Sequence, residues 1–166
     1  FENTYEGSWF YEQQYLGFNY RMNDISAALG LSQLKKINLF IKKRKENTNF
    51  YANFFEKMPI KILNLKQRDN SSHHLTIFQL EKKFKNFHYF IVEALRNKGI
   101  GVQIHYIPIH LQPYYKKLGF SNGDFPDSEL YASSSFSVPN FYSIKDSELL
   151  TICETIKLLL KEKNII

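Results

Sequence analysis

The spacing of apolar residues divides the chain into a helical front and an α/β remainder. From Asn23 onward, Ala27, Leu31, Leu34 and Ile41 recur three, four or seven apart, the period of one helix face. Asn23 or Asp24 offers a side-chain oxygen that can cap the free N–H groups of the first turn. The pattern predicts one long helix from Asn23 to Lys57, stopped at Met58-Pro59 because proline disfavours helical geometry in the residue before it. About 35 residues at 1.5 Å each give a rod of about 50 Å, suited to a connector between domains. Gly30 or the Asn47-Thr48-Asn49 cluster is the expected place of a bend. Phe50, Tyr51, Phe54 and Phe55, at the far end, are expected to pack on a sheet.

Beyond Pro59 the period changes to two. Ile60 to Leu65 alternates as a short strand, Lys66 to Asn70 reads as a polar loop, and Ser72 to Leu80 alternates again, so the two strands can pair antiparallel. Phe84 to Lys98 has helical spacing, with Phe87, Ile91, Ala94 and Leu95 inward and Gly99 placed to end it in a left-handed conformation. Val102 to Ile107 is the expected third strand. Phe120 to Asp127 (FSNGDFPD) is rich in turn residues, and Asp127 is placed to cap the short helix that follows. Ser133, Ser134 and Ser135 fall at the end of that helix and lead into the strand-like Phe136-Ser137-Val138-Pro139. A terminal helix runs from Ser143 to Lys163. The order predicts an α/β fold, a small antiparallel sheet covered by helices.

Composition supports a folded chain: of 166 residues, 43% are hydrophobic and 16% aromatic, enough for one domain with a real core. The first fifteen residues lack a clear period and read as the end of something longer, so the sequence is taken as a fragment. No apolar run approaches the roughly 20 residues that span a bilayer, and no charged-then-apolar leader is visible, which suggests a cytoplasmic address without membrane contact. A net charge of +6 and a pI near 9.2 raise the question of nucleic acid. The basic residues Lys35, Lys36, Lys42, Lys43, Arg44 and Lys45 wind around a helix, and Lys82, Lys83 and Lys85 sit at a turn, which fits a solvated face better than a binding surface. Cys153, alone among Leu149, Leu150, Ile152 and Ile156, reads as a small core residue. Neither the adjacent His73 and His74 nor His105 and His110, split by Pro108, have metal-ligand spacing. The serines lack the Gly-X-Ser-X-Gly elbow of a hydrolase nucleophile.

Two stretches carry candidate chemistry. Asn19 and Arg21, an amide donor and a permanent cation, precede a helix N-terminus whose dipole favours an anion, so phosphate is a natural ligand. The same residues also suit a plain turn, with Arg21 paired to a surface carboxylate. His105-Tyr106 stands at a predicted strand end, where loops can reach a neighbouring site; an aromatic pair closing the sheet is the alternative.

The run LGFNYRMNDISAALGLSQLKKI (residues 16–37) resembles the junction between the large and small domains in the DegT/StrS family of pyridoxal-phosphate sugar aminotransferases. A second block, GIGVQIHYIPIHLQPYY (residues 99–115), resembles the family's small domain. The resemblance implies the C-terminal small domain of the aspartate-aminotransferase fold: residues 1–22 end the large cofactor-binding domain, 23–58 form a connecting helix, and 59–166 are the small domain. It implies transfer of the amino group of L-glutamate to C4 of a UDP-linked 4-keto-6-deoxy sugar, in pseudaminic acid biosynthesis, with pyridoxal 5'-phosphate as cofactor of the intact protein. No lysine here stands in the family's lysine motif, so no catalytic residue is assigned. The resemblance further implies a homodimer with shared active sites, in which Asn19, supported by Arg21, reaches the cofactor phosphate or nearby substrate of the partner. Ile104, His105, Tyr106 and Ile107 would contact the nucleotide-sugar. Met22 stands where relatives more often carry Leu, a volume-conserving change. The competing class is a stand-alone basic binding or dimerisation module without catalysis.

Overall fold

The computed structural model describes residues 7–63 and 70–166, in two units, the first ending at Lys36 and the second running from Ile37 to Ile166. The first unit holds α1 (Asp24–Leu34). Its start is fixed by Asn23, whose Oδ1 accepts a hydrogen bond from the Ser26 N–H at 2.8 Å, so Asn23 rather than Asp24 is the cap. The expected positions Ala27, Leu31 and Leu34 share a face of α1, but that face is not buried. Ile25, Leu29, Leu31 and Leu34 are distributed around the helix, all are exposed, and no residue of α1 is buried.

The predicted rod is two helices, α1 and α2 (Ile37–Phe54). The break falls at Lys35-Lys36, where the Lys36 N–H bonds the carbonyl of Gln33 only three residues back at 2.9 Å, tightening the last turn. Helix runs unbroken through both Gly30 and Asn47-Thr48-Asn49. Asn47 and Thr48 are buried there because partners wait for them. The Asn140 Nδ2 lies 2.8 Å from the Thr76 hydroxyl, 3.1 Å from the Thr48 hydroxyl and 3.1 Å from the His73 carbonyl, while Asn47 Nδ2 donates to Asn140 Oδ1 at 3.0 Å and to the Phe141 carbonyl at 3.1 Å. Such a network makes burial of these amides and hydroxyls affordable only in this geometry, which holds α2 against the chain after the sheet.

Three antiparallel strands form the sheet, in the order β1 (Ile60–Ile62), β2 (Thr76–Leu80), β3 (Ser135–Val138). Ile60 pairs with Leu80 and Ile62 with Phe78, as alternation predicts, and Phe78 faces Phe136 across β2 and β3. The end of the first predicted strand and the loop from Lys66 lie outside the described residues, apart from Asn70. Phe78 is fully buried at the centre, with Tyr51 of α2 and Phe55 just beyond it edge-on to its ring at 5.6 and 5.1 Å and Phe136 at 5.9 Å. The third strand is therefore Ser135–Val138 and not Val102–Ile107. That stretch contributes a single bridge, Gln103 to Ser137, on the outer edge of β3, and beyond it Tyr106 and Ile107 project into solvent.

A 3-10 turn (Lys82–Phe87) precedes α3 (His88–Asn97), so the predicted helix over 84–98 is α-helical only from His88. Gly99, at φ +76°, closes α3 as expected: its N–H bonds Arg96 and that of Ile100 bonds Leu95, the paired bonds of a left-handed helix stop. A further 3-10 turn (Ile109–Leu111) leads to α4 (Pro113–Lys117) and α5 (Pro126–Ser134). Asp127 is not the cap: that position is Phe125, Pro126 takes the first helical place, and Asp127 follows in the first turn of α5. The terminal helix, α6 (Asp146–Glu162), packs on α2 and α3, and its inward side buries Leu149, Ile152, Cys153, Ile156 and Leu160. Cys153 is thus the core residue the sequence implies, and burial pushes its thiol up to about 12.

Candidate functional site

In the first unit the candidate residues Asn19 and Arg21 lie just before α1. Asn19 adopts the left-handed conformation, φ +57°, which asparagine tolerates better than most residues. The flanking Phe18 and Tyr20 stack on each other at 5.4 Å, and Asn19 and Arg21 are both exposed. With Asn23 serving as the cap, Asn19 is not needed for it, and Arg21 pairs with no carboxylate among the described residues. An amide and a guanidinium thus stand unspent close to the start of an eleven-residue helix.

The second unit contains a cavity of about 670 Å³. Ile104, Tyr106, Ile107, Pro108 and Leu111 form one wall, Pro126 to Ser133 of α5 another, and Lys82, Lys85 and His88 a third. Of the four loop residues singled out from sequence, Ile104, Tyr106 and Ile107 line this space. His105 instead turns to the sheet, with Nε2 2.8 Å from the Ser137 hydroxyl and its ring edge-on to Tyr106 at 4.9 Å, while its buried Nδ1 has no partner. His105 therefore acts as the peg that holds Tyr106 at the rim.

Two further histidines brace the walls. His88 is buried with Nε2 2.9 Å from the Ser135 carbonyl, which can only accept, so Nε2 carries the proton. Burial holds the imidazole below its ordinary 6.5, against the opposing pull of that carbonyl, and the ring is neutral at pH 7. His110 Nε2 lies 2.9 Å from Glu129 Oε1, which also accepts the Gly123 N–H at 2.7 Å. The Gly123 bond first, and His110 second, keep the Glu129 carboxyl below the usual carboxylate range. Ser133 and Ser134 donate to the Leu130 carbonyl, the helix-end role read from sequence. Sequence reasoning missed Lys82, Lys85 and His88 as cavity residues; the three-residue spacing of the lysines was the signal available.

Much of the basic surface is spent internally. Lys43 pairs with Asp146 at 3.3 Å, Arg44 meets the ring and carbonyl of His74, and Arg96 pairs with Glu93. Among the described residues no group of three or more His, Cys, Asp or Glu is placed to hold a metal, and no helix is long and apolar enough to cross a membrane.

The small antiparallel sheet covered by helices is an architecture shared with solved pyridoxal-phosphate aminotransferases. The match to the DegT/DnrJ/EryC1/StrS aminotransferase family runs over residues 3–157, and the chain belongs to that family. It is similar to the UDP-4-amino-4,6-dideoxy-N-acetyl-β-L-altrosamine transaminase of Campylobacter jejuni, with 42% identity over 62% of this chain and 28% of that one. Among solved structures it resembles Helicobacter pylori PseC, an aminotransferase involved in the biosynthesis of pseudoaminic acid (TM-score 0.85, 29% identity, 96% of this chain and 43% of that one). It also resembles Spr1654 of Streptococcus pneumoniae in its PLP form (TM-score 0.83, 30% identity, 95% and 40%). Pyridoxal 5'-phosphate is accordingly the cofactor of the family. The chain spans about two-fifths of the length of the curated relatives that match nearly all of it, 42% and 41% for two of them.

Proposed function

We propose that this chain is the C-terminal share of a pyridoxal-phosphate-dependent sugar aminotransferase. The enzyme passes the amino group of L-glutamate to C4 of a UDP-linked 4-keto-6-deoxy sugar, a step of pseudaminic acid assembly in the cytoplasm. The match to PseC over 96% of the chain is the observation that carries this reading. In it, residues 1–22 close the large domain, 23–58 connect, and 59–166 form the small domain. The connecting stretch holds α1 and α2.

Bound pyridoxal phosphate supplies the electron sink that amino transfer requires. The residues present fit the anionic edge of that cofactor. Asn19 and Arg21 are exposed, without an ion pair among the described residues and close to a capped helix start, so an amide N–H and a guanidinium can meet phosphate oxygens. They do not supply the lysine that carries the cofactor, since no lysine here matches the family's motif. This division suits a homodimer in which each subunit lends Asn19 and Arg21 to its partner's site. The Ile104–Ile107 loop, pegged by His105 on Ser137, meets the nucleotide-sugar and keeps water from it.

Asn19→Ala tests this in the protein that carries the chain. Loss of a positioned amide should weaken cofactor retention, or slow amination of the UDP-linked keto sugar, by about tenfold. Unchanged cofactor affinity and unchanged kinetics would count against it.

A further inference from the structure

We infer that Asn122 is a site of spontaneous deamidation, the asparagine of this chain most open to it, and that the Glu129 carboxylate holds the reaction back through the Gly123 N–H. Nowhere else in the sequence is asparagine followed by glycine. The pairing matters because the reaction begins with attack of the next residue's backbone nitrogen on the side-chain carbonyl carbon, and glycine has no Cβ to obstruct that approach. Asn122 and Gly123 form the centre of a turn closed by the Asp124 N–H on the Ser121 carbonyl at 3.4 Å, with Gly123 at φ +100°. Ser121 to Asp124 are all exposed, and a Cβ added at Gly123 would meet no atom within 4 Å, so the turn has room for a new ring. The Asn122 side chain makes no hydrogen bond among the described residues, which leaves its Cγ free to swing toward the nitrogen.

The step balances with water as the sole reagent. The Gly123 nitrogen loses its proton and bonds the Asn122 Cγ; the Cγ–Nδ2 bond breaks, and Nδ2 takes up a proton and leaves as ammonia. Water then opens the resulting cyclic imide at either carbonyl, to aspartate or to isoaspartate, and nothing is oxidised or reduced. Either product has a carboxylate where a neutral amide stood. Asn122 lines the same cavity as Lys82 and Lys85, so the change adds a negative charge to that lining.

Glu129 opposes the first of these events in two ways. Its Oε1 accepts the Gly123 N–H at 2.7 Å, a bond that must open before the nitrogen can turn on Cγ. Its charge also stands beside a nitrogen that would become anionic, and like charges repel. His110, 2.9 Å from the same oxygen, steadies the carboxylate from behind. On the other side of Asn122, the Ser121 N–H bonds Asp124 Oδ2 at 2.7 Å, so the turn is held at both ends.

The test incubates the protein carrying this chain for days at mildly alkaline pH and maps its peptides by mass, with isoaspartyl methyltransferase labelling to read isoaspartate. Wild type should convert at position 122 ahead of Asn97, which lies in α3, and of the buried Asn140. Glu129→Ala should speed conversion at 122 about tenfold and leave Asn97 and Asn140 at their wild-type rates. Glu129→Gln keeps an oxygen acceptor without the charge and should fall between the two. Asn122→Gln should abolish the isoaspartate signal from this turn. Conversion at Asn97 or Asn140 ahead of 122 in wild type would overturn the site, and a Glu129→Ala rate at 122 no higher than wild type would overturn the guard. Should Glu129→Ala speed every asparagine alike, the variant has loosened the whole fold and Glu129→Gln decides: a rate at 122 equal to wild type overturns the guard, a faster one upholds it.

Discussion

His88 shows how one buried side chain sets both the charge and the pH response of a wall. Its Nε2–H bonds the Ser135 carbonyl at 2.9 Å and its ring lies 6.1 Å from that of Phe136, so α3 is tied to β3 through an uncharged imidazole. Because folding lowers its affinity for a proton, the unfolded chain takes up the proton that the native state refuses. The stability is whole above the ordinary 6.5 and falls as pH drops from there through the lowered native value. His88→Phe keeps a ring in place and removes the titration. The difference in melting temperature between wild type and His88→Phe should be flat above pH 6.5 and shrink below it; a difference independent of pH would show that His88 is not the group responsible.

Between α4 and α5 the chain is held by polar ties rather than by a core. Glu129 Oε1 takes the Gly123 N–H and His110 together, and Gly123 itself stands at φ +100°, the left-handed turn that Asn122-Gly123 announces. Glu129→Ala should free both groups, speeding amide exchange at Gly123 at least about tenfold while the amides of β2 and β3 keep their protection. The tie holds above the usual carboxylate pKa of 4.5 and is lost as pH falls through the lowered value, so acid should reproduce the variant's exchange pattern in wild type. Elements of this local kind were legible in the sequence: the Gly99 stop, the alternation of β2 and the inward face of α3 each depend on residues within one turn or strand. The identity of the third strand was not. Val102 to Ile107 is a longer run than Ser135-Phe136-Ser137-Val138, yet the place beside β2 goes to the segment that sets Phe136 against Phe78, a choice made 58 residues away along the chain. The break at Lys35-Lys36 was equally hidden, since neither residue disfavours helix. Tyr106 and Ile107, singled out through family likeness, line a cavity, whereas Lys82 and Lys85 read as solvent-facing until the fold set them on the same cavity.

At the scale of the molecule, the proposed division of labour between this chain and the rest of its relatives' length makes a prediction about lysine chemistry. A lysine that forms a covalent bond to pyridoxal phosphate must be uncharged to attack, and burial is the usual way to lower its pKa. No described lysine is buried, and several have partners, Lys43 with Asp146 at 3.3 Å and Lys163 over the Phe90 ring at 3.8 Å among them. Exposed lysines react with little preference for one another. When the 166-residue chain is incubated with pyridoxal phosphate and reduced with borohydride, peptide mapping should show low labelling spread over many lysines. Stoichiometric labelling of one lysine would place the covalent chemistry in this chain and overturn its assignment as the share that lends Asn19 and Arg21 to a site completed elsewhere.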